Sequence, residues 1–139
     1  MTNEKIREHC LGLPHVTEVV QWEDHLLFKV AGKMFAMIEL DGHRCSLRCS
    51  PEKYAELLEL PDIVPSSHNM WKYHWVTTET LSALPDREFR ELLTESYQIV
   101  RARLPKRILA GLDGAGSPAA EPSAATKRSR AKRAGRKPG

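Results

Sequence analysis

The spacing of apolar residues predicts one short helix at the start of the chain and four strands after it. Ile6, Cys10 and Leu13 recur at positions i, i+4 and i+7, on one face of a helix that Thr2 or Asn3 can cap. The short runs that follow are joined by connections too brief to hold crossover helices, so we expect an antiparallel meander. Its predicted strands are Thr17–Trp22, His25–Ala31, Met34–Leu40 and His43–Cys49.

Two of these connections set a predicted register. Asp41-Gly42 is typical of a type I′ turn, because both central residues of that turn need positive φ. A loop of these two residues makes the pairs Glu39/Arg44, Ile38/Cys45, Met37/Ser46, Ala36/Leu47 and Phe35/Arg48. A loop formed by Gly32-Lys33 similarly pairs Val30 with Phe35 and Phe28 with Met37.

This register predicts two faces of different character. The face that helices cover carries Leu27, Ala31, Met34, Ala36, Ile38, Leu40, Cys45, Leu47 and Cys49, with Lys29 as its polar member. The opposite face carries Phe28, Val30, Phe35 and Met37 beside Glu39, Arg44 and Arg48. An apolar patch rimmed by arginine is either a binding surface or is partly covered by another segment, and the sequence leaves both interpretations open.

The second half of the chain predicts two more helices and one strand. Ser50-Pro51 is a typical helix start, followed by the stripe Tyr54, Leu57 and Leu58 and ended by Pro61. Residues 61–74 are predicted to form a loop, and Trp75–Glu79 a short strand. Asp86 can cap a long helix that ends at Pro105 and buries Phe89, Leu92, Leu93, Ser96, Val100 and Leu104. The order of elements predicts an α+β two-layer sandwich, with helices on one face of an antiparallel sheet.

Composition narrows the class of protein. The chain has 139 residues, 41% of them hydrophobic and 28% charged, which is typical of a globular domain. It contains no apolar run near the roughly 18 residues that span a bilayer, and Met1–Lys5 lacks the features of a secretory signal. Three cysteines cannot all pair within one chain, which favours a reduced state. We therefore expect a cytoplasmic protein and exclude the membrane, secreted and disulfide-scaffold classes.

Charge is divided unevenly between the two ends of the chain. Residues 111–139 carry seven Lys and Arg against two acidic residues, a net +5, whereas residues 1–110 carry 14 basic and 16 acidic residues, a net −2. We predict a folded domain over 1–110, a flexible linker over 111–126 and a disordered basic arm over 127–137. Such an arm either releases counterions from a polyanion or serves only as a solubilising tail. Its basic residues are Lys127, Arg128, Arg130, Lys132, Arg133, Arg136 and Lys137.

Several motifs in the first 107 residues resemble the MmcQ/YjbR family. They are Leu13-Pro14 with Glu18 and Trp22, the segment 27–35, the segment 46–52 (SLRCSPE), Lys72 with His74-Trp75, and Ser96-Tyr97 with Val100 and Leu104-Pro105. The resemblance implies a CyaY-like sandwich that is described for this family as a double-wing DNA-binding architecture, with no catalytic residue set. The stretch 66–71 departs from the family pattern, and the basic tail is an addition of this chain.

Four residues of the predicted domain are candidates for contact with nucleic acid. Lys33 lies in a hairpin turn that presents its ammonium group to solvent. Arg44 can pair with Glu39 across the strands, which leaves Arg48 as the better anion ligand. Trp75, like Trp22, can stack on a base or pack at the sheet edge. With Lys72, the nucleic-acid candidates in the folded part are therefore Lys33, Arg48, Lys72 and Trp75.

No pattern in the sequence indicates catalysis or a metal. The spacing of His68 and His74, with His43 as a third candidate, matches no zinc motif, so we predict neither metal nor cofactor. Cys45 and Cys49 lie on the predicted core face and are interpreted as small buried hydrophobic residues. The chain has no glycine-rich phosphate loop and no nucleophile elbow. We therefore expect a protein that is not an enzyme.

Two functions from different classes remain. The first is a small cytoplasmic DNA-binding protein, with association with the nucleoid as one option, whose basic tail adds sequence-independent phosphate contacts. The second is a small-ligand or protein-interaction module that uses the face predicted to carry Phe28, Val30, Phe35 and Met37. The shape of that face distinguishes a small-ligand module from a protein-interaction module, since a concave surface suits a ligand and a flat one suits a partner protein.

Overall fold

A computed structural model describes residues 1–115 of the chain, with side chains to Asp113. One compact unit spans Met1–Leu104, and a second begins at Pro105 and contains a helix that the sequence analysis did not predict, Lys106–Ala115 (α4). The domain boundary at residue 110 and the linker after it remain predictions. The predicted basic arm, 127–137, lies outside the described residues.

The first unit is an α+β two-layer sandwich, as predicted. Its helices are Asn3–Leu11 (α1), Pro51–Leu57 (α2) and Asp86–Ala102 (α3), with a 3₁₀ helix at Met70–Tyr73. Its strands are Val16–Gln21 (β1), His25–Val30 (β2), Lys33–Glu39 (β3), Cys45–Arg48 (β4), Ile63–Pro65 (β5) and Trp75–Thr78 (β6). They form one antiparallel sheet in the order β1-β2-β3-β4-β6-β5.

One predicted loop proves to contain regular structure. Residues 61–74 hold both the edge strand β5 and the 3₁₀ helix. The strand is only three residues long and ends in Pro65, which has no N–H to donate and is tolerated at a sheet edge. So short a run carries no periodicity that a sequence reading can detect.

Side chains begin the helices largely where the sequence placed them. Thr2 Oγ1 accepts a hydrogen bond from the N–H of Lys5, and Ser50 Oγ accepts one from the N–H of Lys53, both at 3.1 Å. Asp86 is the first residue of α3 and not its cap, which is Pro85. None of the helices within residues 1–115 is long and apolar enough to cross a membrane.

The β2–β3 hairpin turns one residue earlier than predicted. Ala31 and Gly32 form its loop, with φ of 50° and 80°, so Val30 pairs with Lys33. A bulge then places Phe35 between Met34, which pairs with Lys29, and Ala36, which pairs with Phe28. The predicted pairs Val30/Phe35 and Phe28/Met37 are therefore wrong.

The β3–β4 connection keeps its predicted register although its turn differs. Ile38 pairs with Cys45, Met37 with Ser46 and Ala36 with Leu47, as expected. Neither Asp41 nor Gly42 has positive φ, and the N–H of Gly42 donates to the carbonyl of Glu39 at 3.3 Å. The predicted type I′ turn is wrong because the loop is longer, and β4 begins only at Cys45.

The shifted hairpin exchanges the two faces of β2. Phe28 and Val30 are fully buried on the face that α1 and α3 cover, where the sequence analysis placed Leu27 instead. A slip of one residue moves every side chain of a strand to the other face. Of the predicted core positions on β3 and β4, Ala36, Ile38, Cys45 and Leu47 are confirmed as buried beneath the helices, with Cys49 just beyond. The predictions for Met34 and Leu40 are wrong, since the bulge turns Met34 to the opposite side and Leu40 lies exposed beyond the end of β3. We call the opposite side the open face; it carries Leu27, Met34, Met37, Ser46, Arg48 and Thr77.

The Ser96 hydroxyl joins α3 to the sheet at the bulge. Ser96 is fully buried, and its Oγ donates to the carbonyl of Phe35 at 2.6 Å and accepts from the N–H of Arg48 at 2.9 Å. The sequence analysis predicted that Phe35 and Arg48 pair with each other across the strands. The hydroxyl instead satisfies one backbone group of each residue.

Replacing Ser96 by alanine should therefore destabilise the protein strongly. The change leaves one buried carbonyl and one buried N–H without a partner, which lowers the free energy of unfolding by about 2–4 kcal/mol. Urea unfolding followed by circular dichroism measures this loss. Ser82→Ala, at an exposed serine, is the matched control and should change stability by less than about 0.5 kcal/mol. Equal stability of the two variants would contradict the role given to Ser96.

Candidate functional site

The structure brings the four predicted nucleic-acid residues of the folded part to one end of the sheet. Lys33 begins β3, Arg48 ends β4 and Trp75 begins β6. These three strand ends lie at the same end of the sheet because neighbouring strands are antiparallel. Lys72 lies in the 3₁₀ helix that leads into β6. We call this region the basic end, defined by Lys33, Arg48 and Lys72.

Two exposed aromatic residues that the sequence analysis did not select belong to the basic end. The side chains of Trp71 and Tyr73 are 48% and 59% exposed. The Arg48 guanidinium carbon lies 5.7 Å from the centre of the Tyr73 ring, and Lys72 Nζ lies 5.9 Å from the centre of the Trp71 ring. Both distances are those of cation–π contacts. The alternation of aromatic and basic residues at 71–73 is the signal that could have identified them.

Trp75 occupies a different environment from these two rings. It is only 6% exposed, at the start of β6 and opposite Arg48 on β4. A ring buried to this extent offers a base little surface to stack on, and its surroundings suit the alternative of packing within the sheet. Among the aromatic residues of the basic end, Trp71 and Tyr73 are the accessible ones.

The cations of the basic end lack acidic partners. Burial and the neighbouring Arg103 lower the pKa of the half-buried Arg48 guanidinium. Within residues 1–113, none of the cations that define the basic end forms an ion pair with a carboxylate, and neither does Arg103, which lies near Arg48 and which we count with the basic end from here on. An anion bound here would relieve the repulsion between the two guanidinium groups.

Arg44 is paired, although not with the predicted residue. Its guanidinium Nη2 lies 3.5 Å from Oε2 of Glu79, so the predicted side-chain pair with Glu39 is wrong. The backbone keeps the predicted register, since the N–H of Glu39 donates to the carbonyl of Arg44 at 3.3 Å. The reason lies in the strand order, since Cys45 pairs with Thr78 of β6 and Arg44 therefore lies beside Glu79. Arg44 is thus held by a carboxylate, and the role of Arg48 as an anion ligand stays a prediction.

A cavity of about 680 Å³ opens on the open face of the sheet. Met34 and Met37 of β3 form part of its wall, and Met70 of the 3₁₀ helix contributes to the rim. Ser46 and Thr77, from β4 and β6, belong to its lining. The open face is thus concave at this point. Trp22, His25, Glu39, Arg44 and His68 also line the cavity.

Three buried hydroxyl groups form a chain beneath this cavity. Ser46 Oγ lies 2.8 Å from Thr77 Oγ1, which in turn lies 2.9 Å from Ser66 Oγ. Each of the three residues is at least 93% buried, since their exposed fractions are 7%, 7% and 3%. Each of the three oxygens therefore takes part in at least one hydrogen bond to another hydroxyl group.

Two histidines of the cavity wall are held through Nδ1. His25 Nδ1 lies 2.7 Å from Oδ1 of Asp24, and the His25 ring meets Trp22 edge to face at 5.6 Å between centroids. His68 Nδ1 lies 2.9 Å from the hydroxyl of Ser67. His74, which the sequence analysis considered with His68, instead packs edge to face on Tyr54 of α2. His68 and His74, which the sequence analysis considered together, therefore lie in separate environments.

The fold defines the class of protein as an α+β sandwich with an open, six-stranded antiparallel sheet. A family model named YjbR matches residues 11–99. The YjbR protein of Escherichia coli K12 is 34% identical over 112 residues, which cover 76% of this chain and 92% of that protein. The protein belongs to the YjbR family, which confirms the resemblance seen in its motifs.

Solved structures agree with this assignment. The crystal structure of a Deinococcus radiodurans protein with a DUF419 domain superposes with a TM-score of 0.73 at 32% identity, covering 81% of this chain and 88% of that one. A Pseudomonas syringae protein superposes with a TM-score of 0.58 at 23% identity, covering 71% and 98% of the two chains, and supports the fold alone.

The three cysteines are buried, as predicted for Cys45 and Cys49. Burial raises the pKa of the Cys10 thiol to about 12 and that of Cys49 to about 12. Burial and the proximity of Cys10 also raise the pKa of Cys45. None of these thiols is placed to act as a nucleophile, since the thiolate form is disfavoured at each.

We therefore expect the native protein to react slowly with 5,5′-dithiobis(2-nitrobenzoic acid). At pH 8, a thiol with a pKa near 12 is ionised in about one molecule in ten thousand, and burial also blocks the reagent. The absorbance of the released thionitrobenzoate measures the rate. All three cysteines should react within minutes in guanidinium chloride, and a cysteine that reacts equally fast in the native state would contradict this account.

Proposed function

We propose that this YjbR-family protein is a cytoplasmic, non-enzymatic DNA-binding protein that contacts DNA through its basic end. The observation that carries the proposal is the combination of cations without acidic partners and exposed aromatic rings. Arg48, Lys72 and Arg103 supply the charge, and Trp71 and Tyr73 supply the rings. Basic groups interleaved with accessible aromatic residues are typical of surfaces on which a nucleic-acid backbone is neutralised while bases stack.

The exposed rings favour DNA whose bases are accessible. Base pairs within a duplex present their edges, whereas an unpaired base also presents a flat face on which Trp71 or Tyr73 can stack. The backbone phosphates of the same strand can meet the guanidinium of Arg48 and the ammonium of Lys72. Single-stranded DNA should therefore bind the basic end more tightly than the same sequence as a duplex.

The basic residues of 127–137 complete the proposal. Residues 1–110 carry a net charge of −2, so the domain attracts a polyanion only through its local surface. The tail, with a net +5 over 111–139, supplies sequence-independent attraction that depends steeply on salt. In this division the tail gives most of the affinity, and the basic end determines which form of DNA is held.

Trp71→Ala should weaken binding of single-stranded DNA about 5- to 100-fold, because one stacked base is lost. Fluorescence anisotropy of a labelled oligonucleotide measures this change. Trp22→Ala is the matched control, since Trp22 is 66% exposed but lies outside the basic end, and it should change affinity less than about twofold. If both variants bind as tightly as the wild type, the basic end is not a stacking surface.

Removing the positive charges of the tail should have a larger effect on the salt dependence of DNA binding than on the preference for single-stranded over duplex DNA. A full-length variant with glutamine at the seven basic positions of 127–137 should lower the slope of log K against log salt by up to about 5. Lys72→Gln should lower the slope by about 0.7, and Lys53→Gln, at an exposed lysine of α2, should not change it. An unchanged slope in the tail variant would remove the tail from the interface, and an unchanged slope in Lys72→Gln would remove Lys72.

A further inference from the structure

Methionine is concentrated at the cavity of the open face. The chain contains four methionines, and three of them, Met34, Met37 and Met70, line this one cavity in half-buried positions. The flexible, polarisable thioether adapts to ligand shape and makes favourable contacts with aromatic rings. With Trp22 at the same cavity, these side chains offer an apolar wall suited to a flat aromatic body.

The hydroxyl chain below the cavity has one hydrogen atom more than it can use internally. Ser46, Thr77 and Ser66 together hold three O–H groups, but the chain contains only two hydrogen bonds. In every arrangement of the protons, one O–H is left without an acceptor among the described residues. In two of the three arrangements that O–H belongs to Ser46 or Thr77, which line the cavity, and it can then be donated to a ligand there.

The arginine of the cavity wall already has a carboxylate partner. Arg44 is paired with Glu79, and the Glu39 carboxylate also lines the wall. Asp24 holds the His25 ring through Nδ1, so the Nε2 atom of His25 is left for a polar contact with a ligand. An anionic ligand would find no unpaired cation among the lining residues and would meet the Glu39 carboxylate, whereas a neutral ligand adds no charge to the site. The volume, about 680 Å³, lies within the range of ordinary small-molecule sites.

We propose that this cavity binds a neutral small molecule that has a flat aromatic body and one hydrogen-bond acceptor, such as a carbonyl oxygen. The aromatic body lies against Met34, Met37 and Met70, and the acceptor takes the spare O–H of the Ser46–Thr77–Ser66 chain. This site is separate from the basic end in its residues and its chemistry. It can therefore be tested without DNA, and neither proposal depends on the other.

Coumarin and indole are suitable probes. Both are flat bicyclic molecules of similar size, but only coumarin carries a carbonyl acceptor. The full-length protein, labelled with ¹³C at its methionine methyl groups, is titrated with each compound and followed by NMR. The signals of Met34, Met37 and Met70 should shift together, whereas the Met1 signal, which serves as an internal control, should not. Coumarin should bind about 3- to 10-fold more tightly than indole.

A matched pair of variants tests the hydroxyl chain. The double change Ser46→Ala with Thr77→Val removes both hydroxyl groups that line the cavity, and should weaken coumarin about 3- to 10-fold while leaving indole unchanged. Thr78→Val, the next residue of β6, points to the helix-covered face and should affect neither probe. Thermal unfolding shows whether each variant is folded, and the methionine shifts of the wild type decide the test if the double variant is not.

Three results would overturn the proposal. The first is that none of the three cavity methionines shifts at millimolar coumarin, and the second is that Met1 shifts as much as they do. The third is that the folded double variant loses the same factor in affinity for both probes, since the two lining hydroxyl groups then give no preference for an acceptor.

Discussion

Both candidate surfaces depend on one buried hydroxyl group, that of Ser96. By donating to the carbonyl of Phe35 and accepting from the N–H of Arg48, it allows Phe35 to remain unpaired in the ladder as the extra residue of a bulge. The bulge lets both Phe28 and Ala36 face the helices. Without a partner for these two backbone groups, the bulged register would bury unsatisfied polar atoms.

The consequences of this register reach the open face. Because Phe28, Val30 and Phe35 fill the core, the part of the open face on β3, β4 and β6 that lines the cavity carries Met34, Met37, Ser46 and Thr77. Small hydroxyl side chains leave room for a cavity, whereas the two phenyl rings would fill it. The 3₁₀ helix then contributes to both surfaces. Met70 lies at the cavity, and the next three residues carry the rings and the ammonium group of the basic end.

Much of the fold follows from local sequence signals. The caps at Thr2 and Ser50 and the buried stripe of α3 are read from short-range patterns, and the structure agrees with them. The β2 face could not be predicted in the same way. Glycine at 32 marks a turn, but both Ala31-Gly32 and Gly32-Lys33 can form it, and the choice depends on how Phe35 packs against Tyr97 of α3. That contact is tertiary, and no local pattern reports it.

The basic end shows why net charge is a poor guide to such a surface. Residues 1–110 are acidic overall, yet charges further apart than the Debye length, about 8–10 Å, are largely screened from one another. What a phosphate group meets is therefore the local set of cations. There, Arg48 and Arg103 repel each other, and no carboxylate within residues 1–113 pairs with either. The tail acts at longer range only because it contributes many charges. In the proposed complex, the tail therefore supplies attraction to the polyanion as a whole, and the basic end supplies contacts with individual phosphates and bases.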